Sequence, residues 1–183
     1  MIFTFALCLF AIATAAGRKN WENYYRPLDM RDLVTIKQRL VVLERTHTTH
    51  THYRCHSARN LGKIGHNKYI YNLVARNGTY PSSPYNVYNV TVKVEKPGLP
   101  HSVYRSTYIA GGTRVTKQLL AMHPQGFCAV LYVTRSDGER GCELLVTLSA
   151  LKYPLLNPCH WYFYYNCRGK RLRVFCPDCV YDI

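Results

Sequence analysis

Short segments of alternating hydrophobic and polar residues, separated by turn signals, dominate this chain. The clearest is residues 88–95, where Val90, Val92 and Val94 alternate with polar neighbours, a period of two that is typical of a strand with one buried face. Seven further segments alternate in the same way or are rich in β-branched and aromatic residues. The predicted strands are residues 39–47, 50–57, 67–75, 88–95, 102–110, 113–120, 127–134 and 141–148.

The connections between these strands are short. Gly111-Gly112 and Asp137-Gly138 are typical of tight hairpins, and Asn60-Leu-Gly62 and Ile64-Gly65 indicate breaks before the third strand. Sequential antiparallel strands hide their edges most simply by closing on themselves. The predicted fold class is therefore all-β, an eight-stranded up-and-down antiparallel barrel that is wide enough for one small ligand. A β-sandwich is the alternative, but it needs longer Greek-key connections.

The amino-terminal region predicts a secreted protein. Residues 1–16 are uncharged and mostly apolar and end in Ala-Thr-Ala-Ala before Gly17, the layout of a cleaved signal peptide. They are too few to span a membrane, and no run of about 20 apolar residues occurs elsewhere. We expect residues 17–183 to form a single barrel domain, in which Asp29 caps one or two helical turns through Leu33 and Ile36.

Cysteine content and sequons agree with an extracellular location. Seven cysteines follow the predicted signal peptide, at positions 55, 128, 142, 159, 167, 176 and 179. In an oxidising compartment this number predicts three disulfides and one free thiol. Asn77 and Asn89 begin Asn-x-Thr sequons and are the predicted glycosylation sites.

Net charge and sequence motifs narrow the range of possible functions. The formal net charge of +14, from 24 Lys and Arg against 10 Asp and Glu, favours anionic partners. Nucleic acid is not expected, because the basic residues are spread along the chain without a recognition motif. The chain has no catalytic signature, so we predict neither an enzyme nor a cofactor. His50, His52 and His56 suggest zinc as an alternative, but histidines in Thr-rich turns are usually solvated and no metal is predicted.

The last third of the chain carries a specific cysteine arrangement. The matching pieces are Cys128-Ala-Val, Cys142-Glu-Leu-Leu-Val and Pro158-Cys159 with Cys167 eight residues further on, joined upstream by Trp21, residues 42–46 and Cys55. This arrangement resembles the tick salivary lipocalins, which are typified by the histamine-binding proteins. The resemblance implies a barrel with a short carboxyl-terminal α-helix packed outside it, in a monomer secreted into saliva.

The resemblance also implies the disulfide pairing. The implied pairs are Cys128–Cys159, Cys142–Cys167 and Cys55 with a terminal cysteine, for which Cys179 is favoured over Cys176. In such a protein the barrel sequesters a small host mediator at the bite site, as a means of immune evasion.

If Cys128 and Cys142 point outward to the helix, alternation points their neighbours into the barrel. The predicted inward residues are Ala129, Leu131, Glu143 and Leu145. Amine-binding members of the family carry Asp after the first cysteine and Trp or Tyr after Cys-Glu-Leu, where this chain has Ala129 and Leu145. Of that acidic and aromatic set only Glu143 remains. Its inward carboxylate needs a partner, which we expect to be an internal Arg, a Tyr hydroxyl or a ligand cation.

Alternation adds Tyr69, Tyr71 and Val92 to the predicted ligand-binding interior, and Tyr108 is a further candidate. On its strand, the inner face is either Tyr104 with Tyr108 or Arg105 with Thr107. An apolar, tyrosine-rich lumen in a basic protein favours an amphipathic acid such as a leukotriene or fatty acid. The alternatives are a biogenic amine, histamine or serotonin, and a basic module that binds an anionic glycan or host protein and interferes with haemostasis or complement.

Overall fold

The structure is a computed structural model that describes residues 28–99, 102–152 and 158–181. The predicted signal peptide and Trp21 lie outside these residues. Within them, eight long strands follow one another with short connections. They are β1 (Leu40–Arg45), β2 (Arg54–Gly65), β3 (Lys68–Arg76), β4 (Tyr85–Glu95), β5 (Arg105–Ala110), β6 (Thr113–Met122), β7 (Cys128–Arg135) and β8 (Arg140–Thr147).

Each strand pairs antiparallel with the next, and the sheet closes on itself. The order runs from β2 to β8 in sequence, β8 pairs with β1, and β1 pairs with β2 at Leu40 and Val41. A closed barrel leaves no free edge among these eight strands. The predicted fold class, a sequential antiparallel barrel with a short carboxyl-terminal helix, is confirmed.

The predicted break at Asn60-Leu-Gly62 is wrong, because β2 continues through it to Gly65. Register shifts between Asn60 and Gly62 and between Lys63 and Gly65 mark β-bulges in this strand. The Asn60 side chain accepts a hydrogen bond from the Gly62 N–H at 2.7 Å, so it satisfies the bulged backbone locally. The turn lies at residues 66–67, directly after the second predicted break at Ile64-Gly65, and Asn67 has a positive φ of 54° there.

Helix α1 (Met30–Val34) lies across one end of the barrel. Asp29 is its N-cap and accepts a hydrogen bond from the Arg31 N–H at 2.8 Å. The helix ends at Val34, before the predicted Ile36, and buries Met30, Leu33 and Val34. None of the helices in the described ranges is long and apolar enough to cross a bilayer.

A second helix, α2 (Pro158–Asn166), packs against the outer wall of β7 and β8. Cys128 and Cys142 face outward and form disulfides with Cys159 and Cys167 at the two ends of the helix. Phe163, 1% exposed, fills the space between them. The barrel wall therefore separates an inner apolar cluster from an outer one beneath α2.

The carboxyl-terminal segment completes the barrel wall where β1 and β2 diverge. Strand β9 (Leu172–Arg173) pairs with Glu44 and Arg45 of β1. The Cys55 N–H donates to the Val174 carbonyl at 2.7 Å, so this segment bridges the two strands. The third disulfide joins Cys55 to Cys179, and Cys176 has the free thiol. These are the three pairs that the family resemblance implies.

The two sequons lie in different environments. Asn89 is exposed on the outer face of β4, opposite in direction to Val90. Asn77 follows β3 and is half-buried, with its side-chain oxygen 2.7 Å from His52 Nε2. Glycosylation of both asparagines remains a prediction, and Asn89 is the more accessible acceptor.

Candidate functional site

The strand faces that point into the barrel form a mostly apolar lumen. On β4 the buried and exposed residues alternate strictly from Val90 to Glu95, because the strand has one face inside and one in solvent. At β5, Ser106 and Tyr108 line the cavity, and Tyr104, just before the strand, packs against the inner cluster with Tyr108, which settles the face that the sequence left open. The predicted ligand-binding residues Ala129, Leu131, Glu143, Leu145, Tyr69, Tyr71, Val92 and Tyr108 all lie on the inner side of the wall.

A small cavity lies between α1 and the middle of the barrel, with a volume of about 60 Å³. Its lining is apolar apart from Ser106, Lys117 and the tyrosines, and it includes Leu131 and Leu145. Typical ligand pockets measure about 300–1,000 Å³. In this conformation the lumen therefore has room for a few water molecules only, and a lipid must displace part of its surroundings.

Helix α1 is the element that occupies the space at this end. The Val34 carbonyl accepts hydrogen bonds from Asn60 Nδ2 at 2.6 Å and from the Tyr71 hydroxyl at 2.9 Å. Met30 and Leu33 line the cavity directly. Two hydrogen bonds and a few apolar side chains hold α1 against the barrel. Because these contacts are few, we expect the lumen to enlarge by movement of this helix.

A buried charged cluster lies at the opposite end of the lumen, below the loop between β1 and β2. Glu143 is 6% exposed and accepts a hydrogen bond from Lys117 Nζ at 2.6 Å, while its other oxygen lies 3.2 Å from His47 Nε2. Burial alone would raise the pKa of Glu143, but the Lys117 charge and the bonds to Lys117 and His47 outweigh it and hold this pKa well below the usual range. Glu143 is therefore an ionised carboxylate that already has two partners.

Burial would likewise lower the pKa of Lys117, but the Glu143 carboxylate and Tyr108 raise it above the ordinary lysine value. The ammonium nitrogen also lies 5.7 Å from the centre of the Tyr108 ring. Sequence reasoning expected an arginine, a tyrosine hydroxyl or a ligand cation as the partner of Glu143. The partners are instead Lys117 and His47, neither of which it identified.

Arg45 and His56 belong to the same cluster and are incompletely bonded. Arg45 is buried, and its Nη2 donates to the Thr48 carbonyl at 3.1 Å. Within the described part of the chain, Arg45 Nε and His56 Nε2 are buried without a hydrogen-bond partner. Burial, and secondarily the Arg45 charge, lowers the pKa of His56 to about 3, so its imidazole is neutral at physiological pH.

The cluster carries an excess of positive charge. Arg45 and Lys117 contribute two positive charges and Glu143 one negative, which leaves +1. Glu143 is the single buried carboxylate among the described residues. This end of the lumen can therefore accept a negatively charged or hydrogen-bond-accepting group more readily than a second cation.

The histidines considered for zinc do not converge. His50 is exposed, His52 is bonded to Asn77, and His56 is half-buried near Arg45, with its Nε2 atom buried. Within the described ranges, the one grouping with metal-like spacing is Cys176, Asp178 and Cys179. Its Cys179 sulfur is committed to a disulfide, and Asp178 forms an ion pair with Arg76 at 2.7 Å.

Comparison with known proteins identifies the architecture. The solved structure of Japanin from Rhipicephalus appendiculatus bound to cholesterol matches this chain with a TM-score of 0.54 and 14% sequence identity, over 78% of this chain and 94% of that one. The fold is that of a lipocalin. No family model matches the sequence, and no curated protein matches it. The match to a tick protein agrees with the tick lipocalin resemblance found in the cysteine motifs.

The neutral His56 of this protein predicts a specific pH dependence. The unfolded state takes up a proton near pH 6.5, whereas the folded state does so only near pH 3. Stability should therefore fall as the pH drops below 6.5, by about 1.4 kcal/mol per pH unit and so about 2 kcal/mol at pH 5. Urea unfolding at pH 7, 6 and 5 measures this slope.

His56→Leu should flatten the slope, whereas the exposed His50→Gln should leave it unchanged. The range above pH 5 is chosen because Glu143, with its lowered pKa, loses its contribution only at more acidic pH. A His56→Leu protein with the wild-type slope would show that another group controls it.

Proposed function

We propose that this protein is a secreted, non-enzymatic tick salivary lipocalin that sequesters a small amphipathic lipid acid in its barrel. The observation that carries the proposal is the pairing of Glu143 with Lys117 and His47. An ammonium ligand is stable in a buried site only when a carboxylate neutralises it. Here the buried carboxylate is already neutralised, so histamine and serotonin are disfavoured.

The distribution of polar and apolar residues in the lumen supports an acidic ligand. Its apolar part, lined by Met30 and Leu145 among others, suits a hydrocarbon chain. Its polar end has an unmatched donor at Arg45 Nε, an unmatched ring nitrogen on His56 that donates when it carries the proton, and a net positive charge. A carboxylate placed there would receive charge-assisted hydrogen bonds. Leukotrienes and fatty acids combine these two features.

Ligand uptake requires the lumen to expand. A cavity of about 60 Å³ cannot hold a lipid, so we expect α1 to move outward and release Met30 and Leu33 from the interior. Japanin, which shares the fold, was solved bound to cholesterol. The architecture is therefore compatible with a lipid ligand.

The test is a titration of the mature protein with matched ligands, followed by displacement of a fluorescent fatty acid. We expect arachidonate and leukotriene B4 to bind at micromolar concentration, and arachidonyl alcohol, histamine and serotonin to bind at least tenfold more weakly. Comparing the acid with its alcohol isolates the contribution of the head group without any mutation. Tighter binding of histamine than of arachidonate, or no binding of any of them, would overturn the proposal.

Two variants test which side chains contact the carboxylate head group of the bound acid. Arg45→Gln and His56→Gln should each weaken arachidonate about tenfold and leave the alcohol unchanged, since only the acid needs these donors. Arg59→Gln, an exposed arginine on β2, is the matched control. Equal losses for acid and alcohol would indicate damage to the barrel rather than loss of a head-group contact.

A further inference from the structure

Helix α2 exposes three large aromatic side chains on the outside of the barrel. Trp161, Tyr164 and Tyr165 are 51%, 53% and 68% exposed. The Trp161 and Tyr165 rings stack with centroids 5.7 Å apart and an angle of 7° between their planes, and Tyr164 meets Tyr165 edge-on at 5.3 Å. We call these three residues the aromatic face. Its members contact one another, so it is a continuous patch rather than three scattered residues.

A basic segment adjoins the aromatic face. Arg168, Lys170, Arg171 and Arg173 are all exposed. Arg171 links the two features directly, because its guanidinium lies 4.4 Å from the centre of the Tyr164 ring and donates to the Tyr164 carbonyl at 2.7 Å. Residues 144–177 contain no Asp or Glu, so no acidic side chain within this stretch offsets the positive charge.

The aromatic face lies on the solvent side of a firmly anchored helix. Disulfides from Cys159 and Cys167 fix both ends of α2 to the barrel, and Phe163 is the aromatic side chain that the helix buries beneath it. The outward rings therefore leave half or more of their surface available to a partner. Exposed, clustered aromatic residues on a pinned helix indicate a binding surface.

We infer that the aromatic face and the basic segment dock this lipocalin onto an anionic phospholipid surface. Trp and Tyr rings favour the headgroup region of a bilayer, because it is apolar on one side and wet on the other. Basic residues beside them are attracted to anionic headgroups, and the two contributions together give stable peripheral binding. A sulfated glycan would be bound through the basic residues alone and would leave the contiguous rings in water.

This docking would place the barrel beside a source of lipids, but it does not depend on the lumen ligand. The aromatic face lies on the outer wall, whereas the charged cluster and cavity lie inside. The membrane experiment can therefore fail while the ligand titration succeeds, and the reverse also holds.

The experiment is co-sedimentation of the mature protein with vesicles of phosphatidylcholine alone and of phosphatidylcholine with 30% phosphatidylserine, a composition of about one anionic lipid in three. We expect binding to the anionic vesicles that weakens as salt rises, and at least tenfold weaker binding to neutral ones. Trp161 and Trp21 are the two tryptophans of the chain. In a Trp21→Phe background the Trp161 emission should shift to the blue and be quenched by brominated lipid.

Two variants and two controls test the surface itself. Trp161→Ala/Tyr165→Ala and Arg168→Gln/Lys170→Gln should each reduce anionic-vesicle affinity at least tenfold. Tyr80→Ala, at an exposed tyrosine of the β3–β4 loop, and Lys63→Gln/Lys68→Gln, at exposed lysines of the β2–β3 hairpin, should stay within twofold of wild type.

Three results would overturn the inference. One is equal binding to neutral and anionic vesicles, and another is wild-type binding by both the aromatic-face variant and the basic-segment variant. The third is retention on immobilised heparin, lost in Arg168→Gln/Lys170→Gln, without any vesicle binding, which would assign the surface to a sulfated glycan. Thermal unfolding of each variant, together with a count of one free thiol, verifies that the fold is retained.

Discussion

Replacing Glu143 with leucine should destabilise the barrel by about 3–5 kcal/mol at pH 7, since it removes the carboxylate that neutralises Lys117 inside the protein. The Lys117 ammonium is held 2.6 Å from Glu143 and is largely shielded from water, so it would become an unpaired buried charge. Its pKa, now raised by Glu143, should fall as burial takes over. Urea unfolding monitored by fluorescence and circular dichroism measures the loss.

Two controls separate the buried pair from an ordinary ion pair. Lys93 and Glu95 form an ion pair at 2.5 Å on the exposed side of β4, with about half of each side chain accessible. Glu95→Leu should change stability by no more than about 1 kcal/mol, because solvent screens the pair. Glu143→Leu/Lys117→Met should regain much of the loss, since it removes both charges together. A single Glu143→Leu variant as stable as Glu95→Leu would contradict the assigned pairing.

Strand alternation was sufficient to predict much of the interior. On β7 and β8 the outward cysteines fixed the direction of Ala129, Leu131, Glu143 and Leu145, because side chains two residues apart share a face. On β4 the three valines did the same. These strands are regular, and each has one buried face. The two-residue period of their side chains therefore matches the alternation of buried and exposed residues.

The charged cluster could be only partly predicted. Lys117 shares the inner face of β6 with Val115 and Leu119, and alternation alone would have placed it inside. Its charge made it look like a surface residue, since lysine is rarely buried without a partner. His47 and His56 lie in a Thr-rich stretch that resembles a solvated turn. Their burial depends on how the β1–β2 loop folds over the barrel end, which no local pattern encodes.

The bulges of β2 and the role of the carboxyl-terminal segment were not predictable from local signals. Asn60-Leu-Gly62 has the composition of a turn, and only pairing with β3 keeps the strand extended there. Val174, wholly buried in the inner cluster, directly follows a strand of only two residues. It is held by contacts with β1 and β2, more than a hundred residues away in sequence, so tertiary context decides its conformation.

Removing the Cys55–Cys179 disulfide by Cys55→Ser/Cys179→Ser should lower the free energy of unfolding by about 5 kcal/mol. The bridge spans 124 residues, so the unfolded chain gains more freedom than from opening Cys142–Cys167, which spans 25 and should contribute about 3.5 kcal/mol. The disulfide also anchors residues 172–174, which fill the opening between β1 and β2. Amide hydrogen exchange should therefore accelerate first at residues 172–174 and at residue 55, before the rest of the barrel.

Cys176→Ser, at the free thiol three residues from Cys179, is the matched control and should stay within about 0.5 kcal/mol of wild type. A disulfide variant no less stable than this control, under urea unfolding at equal pH, would show that the barrel closes without its terminal clamp.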